Sequence, residues 1–289
     1  METANISPGP RSPVPGPDSS VAFIGGGNMA RSLIGGLIAR GTAPGSIRVT
    51  NPGADKRDAL HRDFGVATFA SAEEAVDGAD VWLFAVKPQV IRGVCQTLAP
   101  LASTQSPLLV SIAAGITTAQ VRRWLGMPDA RVVRAMPNTP SLLGAGVTGL
   151  YADAALPAVL REQAQSVLDA AGQTVWLDDE ASMDAVTAVS GSGPAYAFLL
   201  AEAMEAAASA EGLPADAART LVVQTLLGAA RMLAESGESA AELRRRVTSP
   251  NGTTQAAIET FQRGGFEALT AAAIHAARVR GAELSSAND

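Results

Sequence analysis

Residues Val21 to Gly41 read VAFIGGGNMARSLIGGLIARG: a short apolar run, three glycines, then a segment with helical spacing. The apolar run Val21 to Ile24 predicts a buried parallel strand. Asn28 to Arg40 predicts a helix, because Met29, Leu33 and Leu37 recur at helical intervals before Gly41 stops the pattern. Strand, glycine turn and helix open a dinucleotide site when the small residues fall as GxGxxA, here Gly25, Gly27 and Ala30. Gly25 allows the tight turn and Gly27 lets the backbone approach a pyrophosphate. Ala30 lets the helix lie close on the strand, with the helix N-terminus facing the phosphate charge. Taken alone the motif also reads as a structural turn; the strand before it, the helix after it and the alternation that follows favour a nucleotide.

Working outward, Ser46 to Thr50 predicts a second strand, where nucleotide folds choose between the two nicotinamide cofactors. A carboxylate at its end would accept the adenosine ribose hydroxyls. Asn51 and Pro52 stand there instead, with Lys56 and Arg57 just beyond, which favours a 2′-phosphate and so NADP over NAD. The other reading of Lys56 and Arg57 is a solvated first helical turn. Val66 to Phe69 predicts a third strand, followed by a capping-box pattern in Ser71 and Glu74. Asp80 to Val86 predicts a fourth, ending in Lys87, Pro88 and Gln89. Leu108 to Ile112 predicts a fifth, running into Ala113, Ala114 and Gly115, and Val132 to Met136 a sixth, ending in Pro137, Asn138, Thr139 and Pro140. Three strand ends thus bring small or polar residues to the carboxyl edge of a parallel sheet, where such folds bind ligands.

After a strand over Val147 to Leu150, a helix from about Ala154 to Ala171 and a strand over Thr174 to Leu177, the alternation stops. From Glu180 onward the chain reads as Ala- and Leu-rich helices, broken at Gly191 to Pro194, Gly212 to Pro214, Gly237, Pro250 to Gly252 and Gly264 to Gly265. So thin a set of helices makes a poor core by itself and is expected to pair with a second subunit.

A ketone reductase needs a proton donor beside the carbonyl, usually Lys, His or Tyr. Lys56 and Lys87 are the chain's two lysines, and neither lies in the helical half. His61 falls on a helix beside the second strand and His275 near the end of the last helix, both in positions that suit surface or packing roles. Tyr196 is the one phenol placed to donate, and packing is its other reading. An imine needs no such donor, because it can arrive protonated and accept hydride directly. The stretch VTSPNGTT, Val247 to Thr254, precedes a helix starting near Gln255. Free amides at Gly252, Thr253 and Thr254 would form an anion site suited to a carboxylate, so an amino or imino acid fits. Simple helix capping by Thr253 and Thr254 is the alternative.

The composition removes other classes. The 289 residues, 47% of them hydrophobic, suffice for one large domain or two ordinary ones. A formal net charge of -6, with one short basic cluster at Arg244 to Arg246, disfavours nucleic acid or an anionic membrane as partner. Cys95 stands alone, so no internal disulfide forms, and it reads as a buried thiol. No apolar run reaches membrane-spanning length, since Glu202, Glu205 and Glu211 interrupt the Ala-rich helices. A soluble, cytoplasmic protein without a metal site is expected. Residues 1 to 20, dense in Pro, Ser and Gly with only Arg11 as a cation, lack a signal-peptide core and are expected to be a disordered tail.

With these residues assembled, the chain from Val21 to about Leu284 resembles the pyrroline-5-carboxylate reductases. The resemblance rests on FIGGGNMA from Phe23, AVKPQ from Ala85, SIAAGIT from Ser111, RAMPNTP from Arg134, SGSGPAY from Ser190 and SPNGTT from Ser249. It implies an α/β chain: an N-terminal Rossmann-type doubly wound sheet over residues 21–178, then an all-α substrate and dimerisation domain over residues 179–289. The implied reaction is reduction of a cyclic imino acid to proline, with NADPH or NADH as hydride donor. The implied assembly is a homodimer, which in that family often builds further into a decamer of five dimers; the sequence does not set one against the other. Carried over by position, Gly25, Gly27, Asn28 and Met29 lie along the pyrophosphate, with Ala30 completing the motif, and Asn51 lies near the adenosine ribose. Ala85, Lys87, Ala114 and Asn138 line the cofactor crevice. Thr253 and Thr254 match the carboxylate-binding loop, where the Thr254 hydroxyl also reaches the substrate ring nitrogen, and Glu180 matches a position that approaches the same substrate. Two departures stand out: Asn251 where Gly is commonest, and the Pro-rich first twenty residues. Competing readings are a related imine reductase, a reductase of 2- or 3-hydroxy acids, against which the missing helical-domain lysine argues, and a catalytically silent NADP-binding scaffold.

Overall fold

The computed structural model describes residues 19–287. The tail expected over residues 1 to 20 lies outside the described residues except for Ser19 and Ser20, which are tied to the fold. The Ser20 amide donates to Asp80 Oδ2 at 2.9 Å, and Ser19 Oγ accepts from Gln163 Nε2 at 2.8 Å.

Strands and helices alternate from the start. In order they are β1 (Val21–Ile24), α1 (Asn28–Ala39), β2 (Ile47–Thr50), α2 (Ala54–Phe64), β3 (Ala67–Phe69), α3 (Ala72–Val76), β4 (Val81–Phe84), α4 (Pro88–Gln105), β5 (Leu108–Ser111), α5 (Thr118–Leu125) and β6 (Val132–Met136). Then come β7 (Gly146–Tyr151), α6 (Ala158–Leu168) and β8 (Gly172–Leu177), followed by α7 (Ser182–Val186), α8 (Gly193–Ala210), α9 (Ala215–Glu235), α10 (Ala240–Arg246), α11 (Thr253–Arg263) and α12 (Phe266–Ala287). The sheet order is β3-β2-β1-β4-β5-β6-β7-β8. Strands β1 to β6 are parallel, the doubly wound dinucleotide order, while β7 runs antiparallel to β6 and β8 parallel to β7. Both faces of the sheet are covered, which is why VAFI in β1 and VWLF in β4 are apolar and fully buried rather than alternating. One core joins Phe23, Leu83 and Val110 to Leu33, Ile34 and Leu37 of α1 and to Val167 of α6. The opposite core joins Ile24, Trp82 and Phe84 to Ile91, Cys95 and Leu98 of α4 and to Trp124 of α5.

Several local expectations are corrected. The helix expected from Ala154 begins at Ala158, because Pro157 has no N–H to donate and serves as N-cap; Asp169–Ala171 finish it as a 3-10 turn. At Ser71 only half of the capping box forms: Ser71 Oγ accepts from the Glu74 amide at 3.3 Å but donates to Glu73. The complete box lies at Thr117 and Gln120, opening α5. The fourth strand ends at Phe84, so Ala85 and Val86 belong to the exit from the sheet. The break expected over Gly191 to Pro194 is led into by a π-helical turn, Thr187–Gly191, closed by the Ser192 amide on Thr187 O at 2.8 Å, and α8 begins afresh at Gly193.

Two compact units emerge. One comprises the sheet and its helices through Ser192, rejoined by Ala276 onward, so the division falls inside α12 and places His275 in mid-helix rather than near its end. In it Gly115, at φ +72°, packs against Ser285, and Gln120 Nε2 donates to Ser285 O at 3.2 Å. The other unit, Gly193–His275, is all helix. Among its described hydrophobic side chains Ala218, Val222 and Leu243 are the buried ones, while Phe198 and Leu269 are each 69% exposed. An apolar groove of about 560 Å³ runs between Leu200, Met204, Val222, Ile258, Phe261 and Phe266.

Candidate functional site

In the sheet unit the chain turns from β1 into α1 at Gly25, whose φ of +108° lies in the left-handed region and whose Cβ, were there one, would sit 2.6 Å from Ala85 O. Only glycine fits there. Gly27 is the N-cap of α1 and makes no side-chain cap, no acidic residue occupies the first turn, and a Cβ on Gly27 would meet nothing within 4 Å. The N-terminus of α1 therefore offers unspent amides beside open space, at exposed Asn28, half-buried Met29 and buried Ala30, which suits a pyrophosphate. Arg31, one turn in, is taken by Asp63 and lies over Phe64; that hydrogen bond and charge hold the Asp63 carboxyl below its ordinary range.

Asn51 follows β2 and stands against the glycine turn. Its Oδ1 accepts from the Gly26 amide at 3.3 Å and its Nδ2 donates to Gly53 O at 3.3 Å. No carboxylate stands at this strand end. Arg57 reaches back so that one guanidinium nitrogen donates to Asn51 O at 2.7 Å and Pro52 O at 2.8 Å, fixing a cation beside the strand. Lys56 is exposed. Across the same edge, Lys87 is the exposed N-cap residue of α4, with Pro88 in the first turn, and Ala114 is exposed in the turn after β5.

Asn138 behaves differently. It is 8% exposed and both ends of its amide are engaged: Oδ1 accepts from the Val147 amide at 3.0 Å and Nδ2 donates to Ser190 O at 3.1 Å. Glu180 is likewise occupied. Its carboxylate accepts from the Thr118 amide at 2.8 Å and the Thr118 hydroxyl at 3.0 Å, and it shares buried Arg134 with Asp184 at 3.5 and 3.4 Å. An acidic side chain from the chain's later part thus closes the N-terminus of α5, a partnership no local spacing announces.

The other unit carries the TSPNGTT loop. α11 begins at Thr253 with Gly252 as N-cap, no side-chain cap and no acidic residue in its first turn. The Gly252 amide, expected to be free, is spent on Ser249 O at 3.1 Å, leaving those of Thr253 and Thr254. Both threonines stand inside the helix, so neither is its cap. The departure at Asn251 finds its reason: its φ of +59° is the left-handed conformation that glycine prefers and asparagine tolerates, held by its amide on Gln255 Oε1 at 2.7 Å.

The two histidines considered as proton carriers are placed elsewhere. His61 Nδ1 contacts Val66 O at 3.0 Å at the end of α2, and His275 is exposed on α12. Tyr151 donates to Asp153 at 3.0 Å, and burial with that neighbour raises its phenol above the ordinary range. Cys95 is fully buried, which pushes its thiol up to about 12. Among the described residues no His, Cys, Asp or Glu cluster could hold a metal ion.

Residues 180–284 match the family model described as pyrroline-5-carboxylate reductase dimerisation, and residues 20–115 the one described as NADP oxidoreductase coenzyme F420-dependent. The chain is 54% identical to the pyrroline-5-carboxylate reductase of Pseudomonas aeruginosa, over 92% of this chain and 96% of that protein. A solved pyrroline-5-carboxylate reductase of Coxiella burnetii superposes with a TM-score of 0.89 at 44% identity, covering 92% of this chain and 98% of that one. The pyrroline carboxylate reductase of Plasmodium falciparum, solved with NADP bound, shares the fold with a TM-score of 0.81 at 24% identity, over 93% and 99% of the two chains.

Proposed function

The chain belongs to the pyrroline-5-carboxylate reductase family, and from that premise we propose how its residues divide the work. It is an oxidoreductase that reduces the C=N bond of 1-pyrroline-5-carboxylate to give proline, the last step of proline biosynthesis. The nicotinamide cofactor supplies the hydride, and the ring nitrogen ends carrying the proton. Residues 21–178 are assigned to dinucleotide binding and residues 179–289 to substrate binding and dimerisation.

The α1 N-terminus, with Gly25, Gly27, Asn28, Met29 and Ala30, receives the pyrophosphate. NADPH is the preferred donor in this reading: Asn51 presents an amide where a carboxylate would repel a 2′-phosphate, and Arg57 is pinned beside it. Ala85, Lys87 and Ala114 line the crevice along the carboxyl edge. The substrate carboxylate goes to the amides of Thr253 and Thr254, with Gly252 shaping the loop, and the Thr254 hydroxyl serves the ring nitrogen as catalytic group. Glu180 is assigned to the substrate region through Thr118, whose amide and hydroxyl it holds, and not through a free carboxylate. A protonated imine needs no further acid, which agrees with a helical half that contains no lysine.

The observation that carries this reading is α11 opening at Thr253 with no side-chain cap, and with both threonine hydroxyls lacking a hydrogen-bond partner among the described residues. The test is NADPH oxidation with pyrroline-5-carboxylate beside a panel of ketoacids. Turnover of the imine alone is expected; turnover of a ketoacid and not of the imine would overturn the assignment, and NADPH binding without any turnover would revive the scaffold.

The dimerisation region makes the protein a homo-oligomer. The proposed state is a dimer, supported by how little the Gly193–His275 unit buries by itself, and a decamer of five dimers rests on family likeness. No described helix is long and apolar enough to cross a membrane, and the cytoplasm is the proposed location.

A further inference from the structure

Asn138 was expected at the cofactor crevice, yet each end of its amide already holds a backbone group. Three segments meet on it at the carboxyl edge of the sheet: Asn138 itself, just past β6; Val147, near the start of β7; and Ser190, in the π-turn that follows α7. The Ser190 carbonyl needs an outside donor. In an unbroken helix it would receive the N–H of residue 194, and residue 194 is proline. Glycine at position 149 of β7 lets the end of α7, and the turn that follows it, come down onto the strands: a Cβ there would lie 2.6 Å from Val186 Cγ1 and 3.3 Å from Val186 Cβ. Close packing brings the turn to the edge, and the Asn138 amide supplies a directed bond that fixes its register there.

We infer that Asn138 is a positioning residue for the reduction: it holds the Ser190 carbonyl, and with it the π-turn from which the chain leaves the sheet unit, in place of contacting the cofactor. The amide serves both neighbours at once, offering Val147 N–H an acceptor and Ser190 C=O a donor, which an ionised carboxylate of the same shape cannot do. This inference rests on the reductase reading, because its kinetic part is read in imine reduction.

Asn138→Asp keeps the shape and the acceptor and loses the donor while the carboxyl is ionised. Facing a carbonyl in a buried place, that carboxyl should titrate above its ordinary range, and once protonated its O–H can donate to Ser190 O again. The whole protein and the variant are compared in four measurements: kcat against pH, NADPH affinity by fluorescence, amide exchange over residues 187–192, and melting temperature. At pH 8 the variant is expected to lose about tenfold in kcat and to exchange faster over residues 187–192, with NADPH affinity within about twofold of wild type. Lowering the pH should restore kcat relative to wild type. Asn138→Ala should show the same exchange change with no recovery at low pH. A tenfold loss of NADPH affinity with unchanged exchange would make Asn138 a cofactor ligand and overturn the inference. So would a deficit that runs parallel to wild type at every pH. Exchange and NADPH affinity are measured without turnover, so a wild type that reduces no imine would defeat the functional reading while the exchange result still decides this one.

Discussion

Thr254→Val tests the substrate loop most directly, because the structure separates what the hydroxyl does from what the backbone does. Thr254 is the second residue of α11, past the Gly252 cap, and its hydroxyl has no hydrogen-bond partner among the described residues. Removing it therefore breaks no bond within the chain. Valine has threonine's β-branched shape and a similar helix propensity, so the stability change should stay within about 0.5 kcal/mol, as for an ordinary surface substitution. For a chain of this size that is a shift of roughly 1–2 °C in Tm. Loss of an aligned, uncharged hydrogen bond to the substrate ring nitrogen is worth about 0.5–1.5 kcal/mol, roughly three- to tenfold in turnover. KM for the imino acid should move less, since the Thr253 and Thr254 amides proposed to hold the carboxylate are untouched. The assay is steady-state NADPH oxidation with pyrroline-5-carboxylate, paired with a thermal melt without substrate. Unchanged kcat together with a melting point lowered by several degrees would refute the reasoning and return Thr254 to a structural part of the helix start.

Asn51→Asp keeps the acceptor for the Gly26 amide but sets a carboxylate toward the 2′-phosphate, so NADPH affinity should fall on the order of tenfold more than NADH affinity in titrations with each; equal losses would remove the basis for an NADP preference. Gly27→Ala and Gly36→Ala form a contrasting pair. A Cβ on Gly27 meets nothing within 4 Å, so melting should hold while cofactor affinity drops. A Cβ on Gly36 would lie 1.9 Å from Ala170 O, so stability should fall by about 1–3 kcal/mol; the reverse pattern in melts and NADPH titrations would contradict the placement of the phosphate site. Light scattering at micromolar concentration should report a dimer or larger, and Leu269→Glu, placing a charge on a 69% exposed apolar position of the helical unit, should shift the population toward monomer; a wild-type monomer would defeat the assembly argument.

The sequence alone determined whatever depends on local periodicity. Apolar runs separated by helical spacing announced the doubly wound sheet, and the glycine spacing at Gly25 and Gly27 placed the tight turn between β1 and α1, because burial on both faces and a left-handed turn each leave a mark within a few residues. The change from alternation to Ala-rich helices after residue 180 announced a second unit too thin to bury its own faces. Tertiary structure decided what depends on partners far along the chain. That β7 turns antiparallel cannot be read from GVTGLY, whose apolar character serves either direction. The glycine at position 36 looks like a blemish in a helix until Ala170 is seen against it. The polar residues show the same limit: the spacing that put Asn138 and Glu180 near a ligand edge could not show that Ser190, Val147 and Thr118 already occupy them. A side chain's position along a strand or helix follows from its neighbours in sequence, but the groups that satisfy its hydrogen bonds are brought there by the packing of distant elements. What remains for a ligand to bind is fixed only once that packing is complete.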